Sequence, residues 1–146
     1  MNIFNQKQLA MTLTLLGAVP LVTGGVCVLA GISPAFLPAE PALVLHTYSV
    51  VIAGFVAGMH WGIHFCKRTA DSVYLLSSLV ALLLWLSFWF AGQVTGLAMV
   101  TVAFIALWVQ EFRLSKQRVT TVWFWQIRNV VSAVAVISLL MAIAGI

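Results

Sequence analysis

Hydrophobic residues fall along the chain in five long runs, separated by short polar or turn-forming stretches. The first extends from about Leu9 to Gly31. A loop punctuated by Pro34, Pro38 and Pro41 leads into the second, from about Ala42 to Phe65. The third covers about Val73 to Ala91, the fourth about Val94 to Gln110, and the fifth about Trp123 to Ile146. Each approaches the roughly 20 residues that carry a helix across about 30 Å of hydrocarbon. Backbone polar groups in lipid must be satisfied within the segment, so the runs predict helices, and their length excludes the alternating pattern of a β-barrel. The expected architecture is all-α: a polytopic five-helix transmembrane bundle forming one domain over residues 1–146. The first run is too long for the 7–15-residue apolar core of a signal peptide. Val26 before Cys27 is too bulky for a lipoprotein cleavage site, so the run reads as retained.

Composition agrees with this pattern. Hydrophobic residues make up 63% of the 146 and charged residues only 7%, against roughly 45–50% and about 25% in soluble domains. Mean hydropathy is +1.12. Three acidic and seven basic side chains cannot cover a soluble surface. An ordinary cytosolic globule, a disordered chain and a nucleic-acid binder are excluded, leaving the lipid bilayer as the surrounding partner. Cys27 and Cys66 fall at different membrane depths, too far apart to pair.

The placement of the charges adds a direction. Lys7 precedes the first span; Lys67, Arg68 and Asp71 separate the second and third; Glu111, Arg113, Lys116 and Arg118 follow the fourth; and Arg128 opens the fifth. Glu40 lies alone on the other side, and the turn around Gly92 and Gly96 is uncharged. Every Lys and Arg thus falls on one side, predicting a cytoplasmic N-terminus and an external C-terminus. Trp61, Trp108, Trp123 and Trp125 mark the inner interface and Trp89 the outer one, while Trp85, one turn deeper, is expected to pack against a neighbour. The stretch Glu111–Thr121 reads either as a solvated loop or as a short helix on the inner surface, drawn to anionic lipid.

The second span carries the most specific pattern. Gly54, Gly58 and Gly62 recur every fourth residue, with Trp61 nearly on the same face. This small-xxx-small spacing predicts close helix packing, within the bundle or in a dimer. About a quarter-turn away, His46, Ser49, Ala53, Ala57, His60 and His64 form a second stripe, a candidate polar seam. His60 and His64, one turn apart, could chelate a metal, but they supply two ligands where a closed zinc site needs four. His46 stands about 21 Å further along the helix. The alternative is interfacial histidines satisfied by water, head groups or backbone. Elsewhere, Pro20 predicts a kink, and Gly17, Gly24 and Gly31 repeat every seven residues as a further packing signature. Thr12, Thr14, Ser77, Ser78, Ser87, Thr101, Ser132 and Ser138 read as helix-to-helix hydrogen bonders. Arg128 is expected to snorkel to the interface; the other reading pairs it with Glu111 or Asp71, or makes it a lipid-phosphate clamp. No nucleophile, zinc-protease, CxxC or phosphate-loop motif occurs, so neither an enzyme nor a cofactor is implied.

Three segments bear a family resemblance: Gly17 and Pro20 in LGAVPLV; Tyr48, Ile52, Phe55, Gly58, Trp61 and Gly62 in YSVVIAGFVAGMHWG; and Trp123, Phe124, Ile127 and Arg128 in WFWQIR. In this order they resemble the domain-of-unknown-function 3429 family of small integral membrane proteins, which also includes the mitochondrial transmembrane protein 69. The chain carries Ala53-Gly54 and Ala57-Gly58 where that family usually has Leu-Ser and Gly-Gly. The resemblance implies about five membrane helices and no established activity. With the charge placement it implies the bacterial inner (cytoplasmic) membrane in preference to the mitochondrial inner membrane. Three functional readings follow: a non-catalytic subunit, assembly or stabilising factor of a membrane complex, acting on other membrane proteins or by self-association; a small transporter or channel using the His46–His64 stripe; and a metal- or haem-associated redox protein using His60 and His64. A periplasm-active reporter enzyme fused after Ile146 should be active, and activity of a cytoplasm-specific reporter there would reverse the predicted direction.

Overall fold

The computed structural model describes residues 3–67, 69–70 and 72–146. Arg68 and Asp71 lie outside the described residues, and with them the expected pairing of Asp71 with Arg128. The described residues form helices and connecting turns only: α1 (Ile3–Leu29), α2 (Pro41–Lys67), α3 (Ser72–Ser87) continued by a 3-10 turn (Phe88–Phe90), α4 (Val94–Lys116) and α5 (Val122–Gly145). All five are long and apolar enough to cross a membrane. The α-helical part of α3 rises only about 24 Å, and the stretched 3-10 turn adds about 6 Å, which together match a hydrocarbon core.

Most ends fall close to where the hydrophobic runs place them, but α4 continues six residues past the expected end at Gln110. Of the stretch Glu111–Thr121, the first six residues therefore extend α4, residues 117–121 form a loop, and there is no separate surface helix. Leu107, Gln110, Glu111 and Leu114 share one face and all are buried, which holds the last turns of α4 in the bundle. The helix ends at Arg118, whose positive φ of 55° places a non-glycine residue in the left-handed region. The amide N–H groups of Arg118 and Val119 donate to the carbonyls of Ser115 and Leu114, the double bond pattern of a Schellman cap. Gly31 closes α1 the same way at φ 64°, and no atom lies within 4 Å of an added Cβ there. Its place in the seven-residue glycine repeat reflects a helix stop, and not helix packing.

The helices close into a ring in chain order, with α5 against α1, and α4 also touches α2 across the interior. α1 and α5 run in the same direction, since Lys7 lies over the Trp123 ring at one end and Leu29 meets Gly145 at the other. The core is built from residues such as Leu21, Leu45, Val56, Leu97, Leu107 and Leu139. Large apolar side chains, among them Leu13, Phe55, Leu82 and Ile137, face outward, while ten polar residues are buried. This reversal of the soluble pattern suits a hydrocarbon solvent. Trp85 also faces outward, 58% exposed, and touches Trp89 of the following turn. The hydroxyls of Thr14, Ser77, Ser78 and Thr101 donate to the carbonyl four residues earlier in their own helices, so they are not the helix-to-helix links expected of them.

Glycine serves two different purposes. At Gly25 an added Cβ would lie 2.6 Å from the Ser138 carbonyl oxygen of α5, and at Gly145 one would lie equally close to the Val28 carbonyl of α1. These two glycines let the backbones of α1 and α5 touch. Gly54, Gly58 and Gly62 instead lie on the outer surface of α2, with nothing within 4 Å of an added Cβ. Among the described residues, the close packing expected of them within the bundle is not seen. Gly25→Ala should therefore lower the melting temperature in mild detergent, by the equivalent of about 1–3 kcal/mol of overpacking. Gly54→Ala should leave it unchanged or raise it, since alanine is the better helix former.

Candidate functional site

The stripe predicted on α2 is the face it turns to the bundle interior. His46, Ser49, Ala53, Ala57 and His60 are each no more than 3% exposed, and Trp61 on the glycine side is 42% exposed. A single 27-residue helix thus presents a polar-and-small face inward and a glycine face outward. The histidines at the two ends of the stripe meet different partners.

At the end away from the basic loops, His46 reaches the 3-10 turn. Its Nε2 lies 3.1 Å from Ser87 Oγ, and the Ser87 hydroxyl donates to the Leu84 carbonyl at 2.6 Å. The single serine proton is thereby used, so His46 Nε2–H is the donor and the imidazole is held in one tautomer. The edge of Phe88 packs on the ring, with centroids 5.6 Å apart. An added Cβ at Gly96 would strike the backbone carbonyl of Phe90 and come within 3.2 Å of His46 Nε2, so a glycine at this point in α4 makes room first for the 3-10 turn and beside it for the histidine.

At the basic end, three helices converge. His60 of α2, fully buried, faces Glu111 of α4, whose Oε1 accepts a hydrogen bond from Arg128 Nε of α5 at 2.8 Å. His60 Nε2 lies 3.8 Å from the same carboxylate oxygen, beyond hydrogen-bond reach. Both His60 ring nitrogens and Glu111 Oε2 are buried without a hydrogen-bond partner. A cleft of about 10 Å³ adjoins the three side chains, walled by Met59, Ile63, Leu114 and Trp125 among others. That is the space of about one water molecule.

Arg128 thus takes the ion-pair role with Glu111, and not the snorkelling one; its side chain is only 12% exposed. Burying a carboxylate in hydrocarbon costs several kcal/mol unless a cation accompanies it, and Arg128 is the cation that does so. His64 sits apart from this cluster: its Nδ1 is 3.2 Å from Thr69 Oγ1, and its ring packs 5.0 Å from that of Tyr74. His60 and His64 therefore serve different neighbours, despite standing one turn apart. Among the described residues no three His, Cys, Asp or Glu side chains come together as a metal site. Cys27 and Cys66 are both free.

Two family-motif segments also meet. Pro20 lacks the N–H that would bond the carbonyl four residues back, and its ring crowds the turn below it. The Tyr48 hydroxyl of α2 donates to the Gly17 carbonyl in that turn at 2.8 Å. Gly17 thus acts through its carbonyl, with an added Cβ there 3.8 Å from the tyrosine oxygen.

Sequence reasoning missed the burial of Gln110 and Glu111 because both adjoin a run of charges. The signal was present in the helical period: Leu107, Glu111 and Leu114 continue the inward face of Val100 and Phe104 at spacings of three and four. Glu111→Leu or Arg128→Met alone should destabilise the protein by about 3–5 kcal/mol, each leaving one buried charge unpaired. The double substitution should recover most of that loss, as read by thermal unfolding in mild detergent; strictly additive losses would show the two groups to be uncoupled.

No curated protein and no solved structure significantly matches the chain. The family described as protein of unknown function DUF3429 matches residues 6–144, nearly the whole length. Its match spans all three resembling segments, including the Gly17–Pro20–Tyr48 contact and the helix that bears His60. The chain belongs to the DUF3429 family.

Proposed function

We propose that this integral membrane protein is a non-catalytic subunit, assembly or stabilising factor of a membrane complex, and that the outer face of α2 receives a transmembrane helix of another membrane protein. The observation that carries the reading is the exposed ridge of Gly54, Gly58 and Gly62, where an added Cβ meets no described side chain and no other described helix. Gly54, Ala57, Gly58 and Trp61 form one wall of a groove of about 590 Å³, and Ser78, Ala81 and Leu82 of α3 form the other. Small residues on both walls allow a third helix to approach to backbone distance, the geometry through which helices associate in lipid without a hydrophobic driving force. Such a protein sits in the bacterial inner membrane with its N-terminus cytoplasmic. The loops rich in Lys and Arg all emerge at the same end of the bundle, which supports that direction.

The closely packed middle of the inward stripe weighs against a conduction path. Ala53 and Ala57 are packed into the core between the His46 and His60 clusters, which stand about 21 Å apart along the helix. Among the described residues, His60 faces Glu111 and His64 faces Thr69, and the two form no shared metal-ligand set, which gives the redox reading no support.

A single cysteine at Gly58, in a Cys27→Ser/Cys66→Ser background, should cross-link in native membranes to a different membrane polypeptide. A cysteine at Ile137, on the outer face of α5, should not. Gly58→Ile should abolish the cross-linked partner's co-purification without lowering the melting temperature of the isolated chain. A Gly58 cysteine that cross-links only to a second copy would replace the partner by self-association. One that cross-links to nothing would remove the reading.

A further inference from the structure

The outer surface between α4 and α5, near the basic end, carries a polar arrangement that the helix-packing role leaves unused. Trp108, Val109 and Phe112 of α4 and Trp125 and Asn129 of α5 line an open groove of about 440 Å³. Val109 and Phe112 are each 45% exposed, so the groove faces the surroundings of the bundle.

Asn129 is out of keeping with a lipid-facing position. The Trp108 indole Nε1–H donates to Asn129 Oδ1 at 2.8 Å. An indole nitrogen can only donate, so this bond fixes which end of the amide is oxygen. The amide nitrogen, with two N–H donors, is then turned away from Trp108, and it makes no hydrogen bond to any described residue. Two unmatched donors on a hydrocarbon-facing helix cost free energy unless the surroundings supply an acceptor. Asn129 stands seven residues into α5, roughly 10 Å from its start along the axis, within reach of the lipid head-group and ester region.

The groove also ends on a cation. The Lys116 ammonium lies 4.5 Å from the centre of the Phe112 ring, whose own centre is 5.8 Å from that of Trp125. An aromatic wall, a pair of amide donors and a fixed positive charge are therefore contiguous. The acidic side chain nearest in sequence, Glu111, points inward and is neutralised by Arg128. No acidic side chain is among the described residues that line the groove.

We propose that this groove is a binding site for one anionic phospholipid. The phosphate faces Lys116; the glycerol lies against Phe112 and Trp125; an ester oxygen accepts from the Asn129 amide; and the acyl chains run on from there toward the bilayer centre. The Trp108–Asn129 bond is the positioning element, because it holds the amide with its donors outward. Charge complementarity selects the lipid class: the head group must carry net negative charge to gain from Lys116, whereas a zwitterionic head group returns that gain to its own cation.

The full-length chain in mild detergent can be offered phosphatidylglycerol and phosphatidylcholine of identical acyl chains and read by native mass spectrometry. One phosphatidylglycerol should be retained in preference to phosphatidylcholine by about fivefold. Lys116→Gln should remove that preference while leaving some lipid bound. Asn129→Leu and Trp108→Phe should each lower retention of both lipids. Asn129→Leu is a surface substitution, so its melting temperature serves as the folding control, and Phe55→Leu on the far side of the bundle should change nothing. Equal retention of the two lipids by the wild-type chain overturns the proposal. So does retention unchanged in both Lys116→Gln and Asn129→Leu, or a protein chain seated in the groove in place of lipid. A null result here is independent of cross-linking at Gly58, which lies on α2.

Discussion

Hydrocarbon offers no hydrogen-bond partner, and nearly every feature of this protein answers that constraint. It forces the backbone into helices, sets their length and turns the usual side-chain arrangement inside out. It also makes any polar group in a span either internally paired or costly. The hydroxyls of α1, α3 and α4 meet the constraint locally, by returning to their own helix carbonyls. The groups that cannot do so determine which helices must meet. Glu111 requires a cation, and Arg128 of α5 provides it. His46 requires an acceptor, and Ser87 at the end of α3 provides it. The Gly17 turn weakened by Pro20 gains a donor, and Tyr48 of α2 provides it. Each of these three bonds joins two different helices.

Close backbone approach is the second means of association in such a solvent. In this chain it divides between inside and outside. Gly25 and Gly145 are spent on the α1–α5 contact, where a methyl group would strike a carbonyl. Gly96 makes room for the Phe90 carbonyl of the 3-10 turn, with the His46 imidazole beside it. The regular Gly54–Gly58–Gly62 ridge, which looks the most like a packing motif, meets no other described helix of its own chain. The motif's geometry is suited to helix contact, and its exposure means that no described residue of this chain makes that contact.

The basic end combines both themes. Within the bundle, Glu111 and Arg128 cancel each other's charge beside the unpartnered ring of His60. Immediately outside, their sequence neighbours Phe112 and Asn129 line an open groove. Adjacent residues on α4 and α5 thus face opposite directions, as a 100° step per residue requires. One pair of helix ends builds a buried electrostatic contact and an outward polar surface at the same depth.

The sequence by itself determined the number of helices, their approximate ends and the side on which the basic residues fall. These follow from run length, hydrocarbon thickness and the position of each charge, quantities that involve one helix at a time. It also placed His46, Ser49 and His60 on a common face, because helical spacing is local. Which way that face points is not local. The His stripe and the glycine ridge lie about a quarter-turn apart on α2, and periodicity alone cannot say which meets neighbours. The tertiary structure decided that the stripe is buried and the ridge exposed, that Glu111 belongs to α4's core face and not to a loop, and that Arg128 pairs inward. Each outcome depends on residues from helices distant in sequence, and only the assembled bundle brings those side chains to within a few ångströms of one another.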